Sequence, residues 1–181
     1  DLDGKQRPLT DGLLILRYLF GFSEVTLTAG AIDELAVRRS SAELRAYFET
    51  VLDTDGDGIV DLLVGAPERQ RAWLALGPLS GTLDLSDAVT YSGSSFTRAG
   101  SALAGGDLDN DGYSDTVVGA PIHSLYSGVV GVFTGGTAAD GGALTDAPLT
   151  IEGELGMLVG GDVDVLDDLD GDGLLELVIG T

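Results

Sequence analysis

The sequence predicts a mainly β chain built from repeats and preceded by a short α-helical segment. Three acidic loops recur, and each runs directly into a short apolar stretch that ends in glycine. After the first loop, short apolar runs alternate with clusters of Gly, Ser, Asp and Pro, and no helical periodicity is sustained. The loops begin at residues 53, 107 and 168. Repetition at this spacing predicts a propeller or another stacked repeat.

Three helices are predicted in the first domain, residues 1–52. The first covers 11–20, after the N-cap Thr10 and before Gly21, and a short one covers 29–37. A capping box at Ser40 and Glu43 opens the third, over 42–52. A helix would then occupy the place of the opening strand of the first β repeat, and the β domain would cover 53–181.

Each acidic loop is followed by a predicted strand, and further strands come from the apolar runs between loops. The Pro or Gly beside each run sets its limits. The predicted strands are Leu62–Gly65, Ala72–Leu76, Thr116–Gly119, Val129–Phe133, Pro148–Ile151 and Leu177–Gly180.

The loops carry acidic side chains at positions 1, 3, 5 and 9 and glycine at position 6. Ca²⁺ takes six to eight oxygen ligands, commonly with a backbone carbonyl at position 7, whereas Mg²⁺ fits such an all-protein cage poorly. We therefore predict structural Ca²⁺ sites. Their predicted ligands are Asp53, Asp55, Asp57, Ile59 and Asp61; Asp107, Asp109, Asp111, Tyr113 and Asp115; and Asp168, Asp170, Asp172, Leu174 and Glu176.

Two alternatives stay open for the loops. They could be Asp/Gly turns that serve only solubility and backbone conformation, although converging carboxylates repel each other without a metal. In the third loop, Asp162 and Asp164 offer another starting point, because the extra length of the last repeat is expected largely at 163–167.

Composition limits the class of protein. The chain has 181 residues and a formal net charge of −21, and every Lys and Arg lies at or before Arg98, which argues against nucleic acid or anionic membranes as partners. A generally acidic, solubilising surface is the simpler alternative. The absence of Cys excludes disulfides and thiolate metal sites. The most apolar stretch, 13–20, is too short for membrane insertion and contains Arg17.

The sequence does not indicate an enzyme. His123 is the only histidine, and neither a nucleophile elbow nor a phosphate-binding loop accompanies it. The paired acids that could hydrolyse glycosides are already assigned as metal ligands. Trp73 is expected to pack between β units, with stacking on a sugar as the alternative.

Residues 53–181 resemble FG-GAP repeats, the blades of the integrin α-subunit β-propeller. The resemblance rests on Gly65-Ala-Pro67 and Gly119-Ala-Pro121 after their loops, and on 99–107 and 155–162 as opening strands. It implies a partial propeller of two to three blades, with calcium loops on one face and ligand recognition elsewhere. The expected function is an extracellular or cell-surface adhesion module for a protein or glycan.

A closed propeller needs four to eight blades, so we expect a fragment whose other partners are the remaining blades of a secreted parent. The alternative is an accessory, non-catalytic region of a secreted hydrolase, polysaccharide-degrading or phospholipase-type. The start of the chain resembles a dockerin-type half EF-hand, which implies that Asp1 and Asp3 ligate metal and that residues 1–52 dock onto a cohesin-like scaffold.

Overall fold

The computed structural model describes residues 52–181 with the exception of residue 138. Within that range the chain forms ten strands in three sheets, which confirms the predicted mainly β class and its partial-propeller architecture. No helix in this range is long and apolar enough to cross a membrane. The predicted helices over 11–20, 29–37 and 42–52 lie outside the described residues, apart from Leu52.

The described residues form two four-stranded sheets and one hairpin, and every pairing of neighbouring strands but one is antiparallel. The first sheet holds β1 (Leu62–Ala66), β2 (Arg71–Ala75), β3 (Val89–Ser92) and the short β7 (Gly142–Ala143). The second holds β4 (Ala102–Gly106), β5 (Asp115–Ala120), β6 (Val129–Phe133) and β8 (Leu149–Glu152). The hairpin pairs β9 (Asp162–Leu166) with β10 (Glu176–Gly180). A helical turn, α1 (His123–Tyr126), lies between β5 and β6.

The alternation of side chains along the strands builds two cores. In β5, Val118 and Ala120 face the first core, whereas Val117 faces the second. The first core lies between the two four-stranded sheets, and there the rings of Tyr91 and Phe133 pack with their centroids 4.6 Å apart. The second core lies between the second sheet and the hairpin. Both faces of β5 are therefore buried, as its apolar sequence requires.

Small residues let consecutive sheets approach closely. A Cβ atom on Gly65 would overlap the carbonyl oxygen of Gly100, and one on Gly119 would overlap that of Gly160. The N–H of Gly100 donates to Gly119 O (3.0 Å), and the N–H of Gly160 donates to Gly180 O (3.1 Å). The Gly-Ala-Pro glycines thus serve backbone packing between neighbouring repeats.

The six strands predicted from apolar runs are confirmed, with ends shifted by one residue at most. The opening strand of the third repeat is misplaced in the prediction over 155–162. Gly160 has a left-handed φ of 86° and occupies the place of Gly100, so the strand begins only at Asp162. Residues 155–161 instead belong to the connection from β8.

The expected position of the extra residues in the last repeat is also largely wrong. The segment from Gly160 to Asp168 in the third repeat is only one residue longer than the equivalent segment from Gly100 to Asp107 in the second. More of the extra length lies in the connection between β5 and β6, which covers 121–128, against 67–70 between β1 and β2. There Ser124, Leu125 and Tyr126 all have left-handed φ values, so α1 is a turn and not a regular helix.

Candidate metal centres

All three acidic loops wrap around their first carboxylate in the same way. The glycine N–H at position 6 donates to the carboxylate at position 1 over 2.9 Å in each loop; the pairs are Gly58–Asp53, Gly112–Asp107 and Gly173–Asp168. These glycines have φ values of 80°, 92° and 92°, which side chains other than glycine rarely tolerate. The glycine at position 6 is therefore required by the backbone that closes each loop.

The carboxylates at positions 3 and 5 hold the middle of each loop. The N–H at position 5 donates to Oδ1 of the Asp at position 3, and the N–H at position 7 donates to Oδ1 of the Asp at position 5. The donors are Asp57, Asp111 and Asp172 at position 5, and Ile59, Tyr113 and Leu174 at position 7. These bonds involve only one oxygen of each carboxylate. The ligand role of the carbonyls at position 7 stays a prediction.

The structure brings together most, but not all, of the predicted acidic ligands. Within each cluster one carboxylate oxygen from each residue lies within 4.8 Å of the others; the clusters are Asp53, Asp55 and Asp61; Asp107, Asp109 and Asp111; and Asp168, Asp170, Asp172 and Glu176. Asp57 and Asp115 lie outside the clusters of their loops. Asp1 and Asp3 lie outside the described residues.

The starting point of the third loop follows from its geometry. Asp162 and Asp164 lie within β9, and Oδ1 of Asp164 accepts from the N–H of Val165. Asp168 instead accepts the glycine N–H at position 6, as Asp53 and Asp107 do. The loop therefore begins at Asp168.

The acid at position 9 has a structural role that sequence reasoning missed. Asp61 is 2% exposed and accepts from the N–H groups of Thr54 (2.7 Å) and Gly77 (2.9 Å). Asp115 is 1% exposed and accepts from Leu108 (3.0 Å) and Gly135 (2.9 Å). Each carboxylate thus ties the start of its loop to the residues that follow the second strand after that loop.

Burial has an electrostatic consequence for these two acids. Desolvation raises the pKa of Asp61 and of Asp115 above the usual value, although the donated N–H groups partly oppose the effect. Nearby loop carboxylates raise both pKa values further. Negative charge on Asp61 and on Asp115 is therefore costly unless a positive charge is close.

The donor set fits a hard divalent cation. Oδ1 of Asp53 is buried and has no hydrogen-bond partner, which is unfavourable for an anionic oxygen unless a cation contacts it. Residues 99–181 contain no Lys or Arg, so the second and third clusters have no basic side chain of their own repeats to neutralise them. Clustered carboxylate oxygens without nitrogen or sulfur ligands are typical of Ca²⁺ sites.

The other residues considered from the sequence lie away from these clusters. His123 lies in the connection between β5 and β6 and lines a small cavity of about 190 Å³ together with Ser92 and Thr97. Trp73 lies in β2 and is half-buried, and its packing role stays a prediction.

Comparison with known proteins supports the resemblance over the β domain. Residues 53–118 match the family described as FG-GAP-like repeat. Human integrin alpha-IIb is 31% identical over 90% of this chain, and integrin alpha-4 of Xenopus laevis is 31% identical over 65% of it. The chain spans 18% and 12% of the lengths of these two relatives. The chain is therefore similar to an FG-GAP-like repeat over residues 53–118 and to a short part of integrin α subunits.

Proposed function

We propose that this chain is an extracellular, non-catalytic binding module of the adhesion type, in which Ca²⁺ holds the acidic loops of a partial β-propeller. The main support is the threefold recurrence of one loop geometry, with the same N–H to carboxylate bonds at positions 6, 5 and 7. The buried, unpartnered oxygen of Asp53 adds independent support. The dockerin-like role of residues 1–52 stays a prediction.

Ca²⁺ would supply the positive charge that the acidic clusters lack. The acids at positions 1 and 3 of each loop would hold the ion, joined by Asp61 in the first loop, Asp111 in the second, and Asp172 and Glu176 in the third. In the second loop, Asp115 would act mainly by fixing the backbone around the site. Mg²⁺ should substitute poorly because it dehydrates reluctantly and demands octahedral geometry.

The expected stabilisation is modest for each loop but useful in sum. Extracellular Ca²⁺ modules bind with dissociation constants of roughly 10⁻⁴–10⁻³ M. At a tenfold excess of Ca²⁺ over the dissociation constant, each site stabilises the fold by about 1.4 kcal/mol. Thermal unfolding of the full chain should therefore show a higher Tm in millimolar Ca²⁺ than in chelator, with a much smaller effect of Mg²⁺. Equal Tm values in the three conditions would contradict the proposal.

A partner surface is proposed at the opposite end of the sheets. The connections 67–70, 93–101, 121–128 and 153–161 lie side by side there, joined by bonds such as Ile122 N–H to Thr97 O (3.0 Å) and Leu158 N–H to Tyr126 O (2.9 Å). Three large apolar side chains on these connections, Phe96, Leu125 and Leu155, are 83%, 77% and 75% exposed. Exposed apolar residues clustered on one surface favour binding to another macromolecule.

Binding of the full chain to arrays of matrix proteins and glycans would test this surface. We expect the double variant F96D/L125D to lose binding to a ligand that the parent recognises, whereas the exposed variant Asp87→Ala should keep it. Unchanged binding by the double variant would contradict the assignment of the surface.

A further inference from the structure

The first and second acidic loops are joined directly by hydrogen bonds. The N–H of Asp53, at position 1 of the first loop, donates to Oγ of Ser114 (3.1 Å), at position 8 of the second. In return, the N–H of Ser114 donates to the carbonyl oxygen of Asp53 (2.9 Å). Ser114 is 3% exposed, so this reciprocal pair is shielded from water. The backbone that carries the first carboxylate of one loop is therefore fixed by the other loop.

A second route connects the same two loops. Asp115, at position 9 of the second loop, accepts from the N–H of Gly135, and the N–H of the next residue, Gly136, donates to Thr54 O (2.7 Å). Thr54 itself donates its N–H to Asp61, at position 9 of the first loop. The buried acids of both loops are thus linked through Thr54 and two consecutive glycines.

Side-chain packing adds a third contact between these loops. A Cβ atom on Gly56, at position 4 of the first loop, would overlap the ring of Tyr113, at position 7 of the second. The aromatic ring therefore lies directly against the backbone of the first loop. Any change in the backbone of one loop has to be accommodated by the other.

The junction between the second and third loops is different. Position 8 of the third loop is Leu175, which has no hydroxyl group, and its side chain lies next to Gly106. In the part of the chain that the structure describes, no hydrogen bond joins the second loop to the third. This junction is apolar where the other is hydrogen-bonded.

We propose that cation binding in the first loop and cation binding in the second loop are positively coupled through the junction of Asp53 and Ser114, whereas the third loop binds independently. This inference rests on the proposed Ca²⁺ sites. Binding of one ion orders its loop and fixes backbone that the other loop also uses. The second ion then binds a loop that is already partly ordered, so its binding costs less conformational entropy. Linkage requires the coupling to be reciprocal.

The coupling can be measured with single-loop variants of the full chain titrated with CaCl₂. The substitutions Asp55→Asn, Asp109→Asn and Asp170→Asn each remove one carboxylate charge from one cluster while keeping an oxygen that can accept the N–H at position 5. The amide resonances of Gly58, Gly112 and Gly173 report on the three loops separately, because each donates to the carboxylate at position 1 of its own loop.

We expect Asp109→Asn to weaken the Ca²⁺ affinity of the first loop, as reported by Gly58, by about fivefold or more, in the range typical of coupled sites. Asp55→Asn should weaken the Ca²⁺ affinity of the second loop, as reported by Gly112, by the same factor. Asp170→Asn should leave both affinities unchanged. Ser114→Ala should reduce the fold-change that loss of one site causes in the Ca²⁺ affinity of the other. Ser95→Ala, at an exposed serine outside the loops, should preserve this fold-change.

The possible outcomes separate this inference from the proposed function. If the Gly58 and Gly112 resonances do not respond to Ca²⁺ at all, the proposed function is wrong. If they respond, but each affinity is unaffected by loss of the other site, the function stands and the coupling is wrong. A coupling factor that Ser114→Ala leaves unchanged would contradict the role of this junction.

Discussion

The second and third acidic loops share one motif but are embedded differently in the fold. In the second loop the acid at position 9, Asp115, is 1% exposed and accepts two N–H groups, at 3.0 and 2.9 Å. In the third loop the equivalent Glu176 is half-buried and accepts only the N–H of Leu169. Glu176 joins the carboxylate cluster of its loop, whereas Asp115 does not.

This difference shows that one sequence position can have two physical roles. Backbone donors satisfy Asp115, so the second loop is held in part by the protein itself. The third loop brings four carboxylates together, and its acid at position 9 accepts one N–H group instead of two. We therefore expect the third loop to depend more strongly on its ion than the second does.

Removal of Ca²⁺ should have the largest effect and should reveal this asymmetry. Loss of three ions at a tenfold excess over the dissociation constant corresponds to about 4 kcal/mol of unfolding free energy. Urea unfolding of the full chain with Ca²⁺ and with chelator measures the total. Hydrogen exchange under the same two conditions should show greater loosening over 168–180 than over 107–120. Equal loosening of the two segments would contradict the comparison.

Replacing the acid at position 9 should destabilise the chain more in the second loop than in the third when chelator has removed Ca²⁺. Asp115→Ala leaves two partly buried N–H donors without their carboxylate partner, so we expect a loss of about 2–4 kcal/mol of unfolding free energy even without Ca²⁺. Glu176→Ala lies at a more exposed site and should cost less than about 1 kcal/mol in chelator. Denaturant unfolding of both variants checks this order, and similar losses would mean that Asp115 does not brace its sheet.

Asp109→Ala should remove one bound ion from the second loop while the third keeps its own. The expected loss is about 1.4 kcal/mol of stability at a tenfold excess of Ca²⁺, and little in chelator. Calorimetry gives the stoichiometry of the variant and the parent, with Asp87→Ala as the control because Asp87 is exposed and lies outside the loops. Equal stoichiometry in Asp109→Ala and the parent would exclude the second loop as a site.

The smallest effect concerns pH in the absence of Ca²⁺. Because burial raises the pKa of Asp115 and Asp61 in the folded state, the folded chain binds more protons than the unfolded chain between the usual pKa and the raised one. Stability should therefore fall as pH rises through that window. Unfolding curves of the parent and of Asp115→Asn across mildly acidic pH test this, and the variant should show a weaker dependence. A parent whose stability rises with pH in that window would contradict the assignment.

The sequence predicted the features that depend on neighbouring residues. The starting points of the first two loops, the glycine at position 6 and the strand after each loop follow from turn chemistry and short apolar runs. The acids at positions 1 and 3 of each loop lie close together, whereas Asp57 and Asp115 lie outside the clusters of their loops. The metal itself stays a prediction.

Features that depend on distant residues were missed. The role of Asp115 needs the N–H of Gly135, twenty residues further along the chain, and the parallel pairing of β7 with β3 joins Gly142 to Tyr91. The strand predicted over 155–162 was misplaced because Gly160 and Gly161 before Asp162 imitate Gly105 and Gly106 before Asp107. The left-handed φ of Gly160 and the bond from its N–H to Gly180 O show that it is equivalent to Gly100.

The most direct measurement for the central claim is a calorimetric titration of the full chain with CaCl₂ after exhaustive chelation and dialysis. Ca²⁺ in the three described loops predicts about three bound ions, with dissociation constants of roughly 10⁻⁴–10⁻³ M. A titration that shows no binding up to several times the upper end of that range would contradict the account.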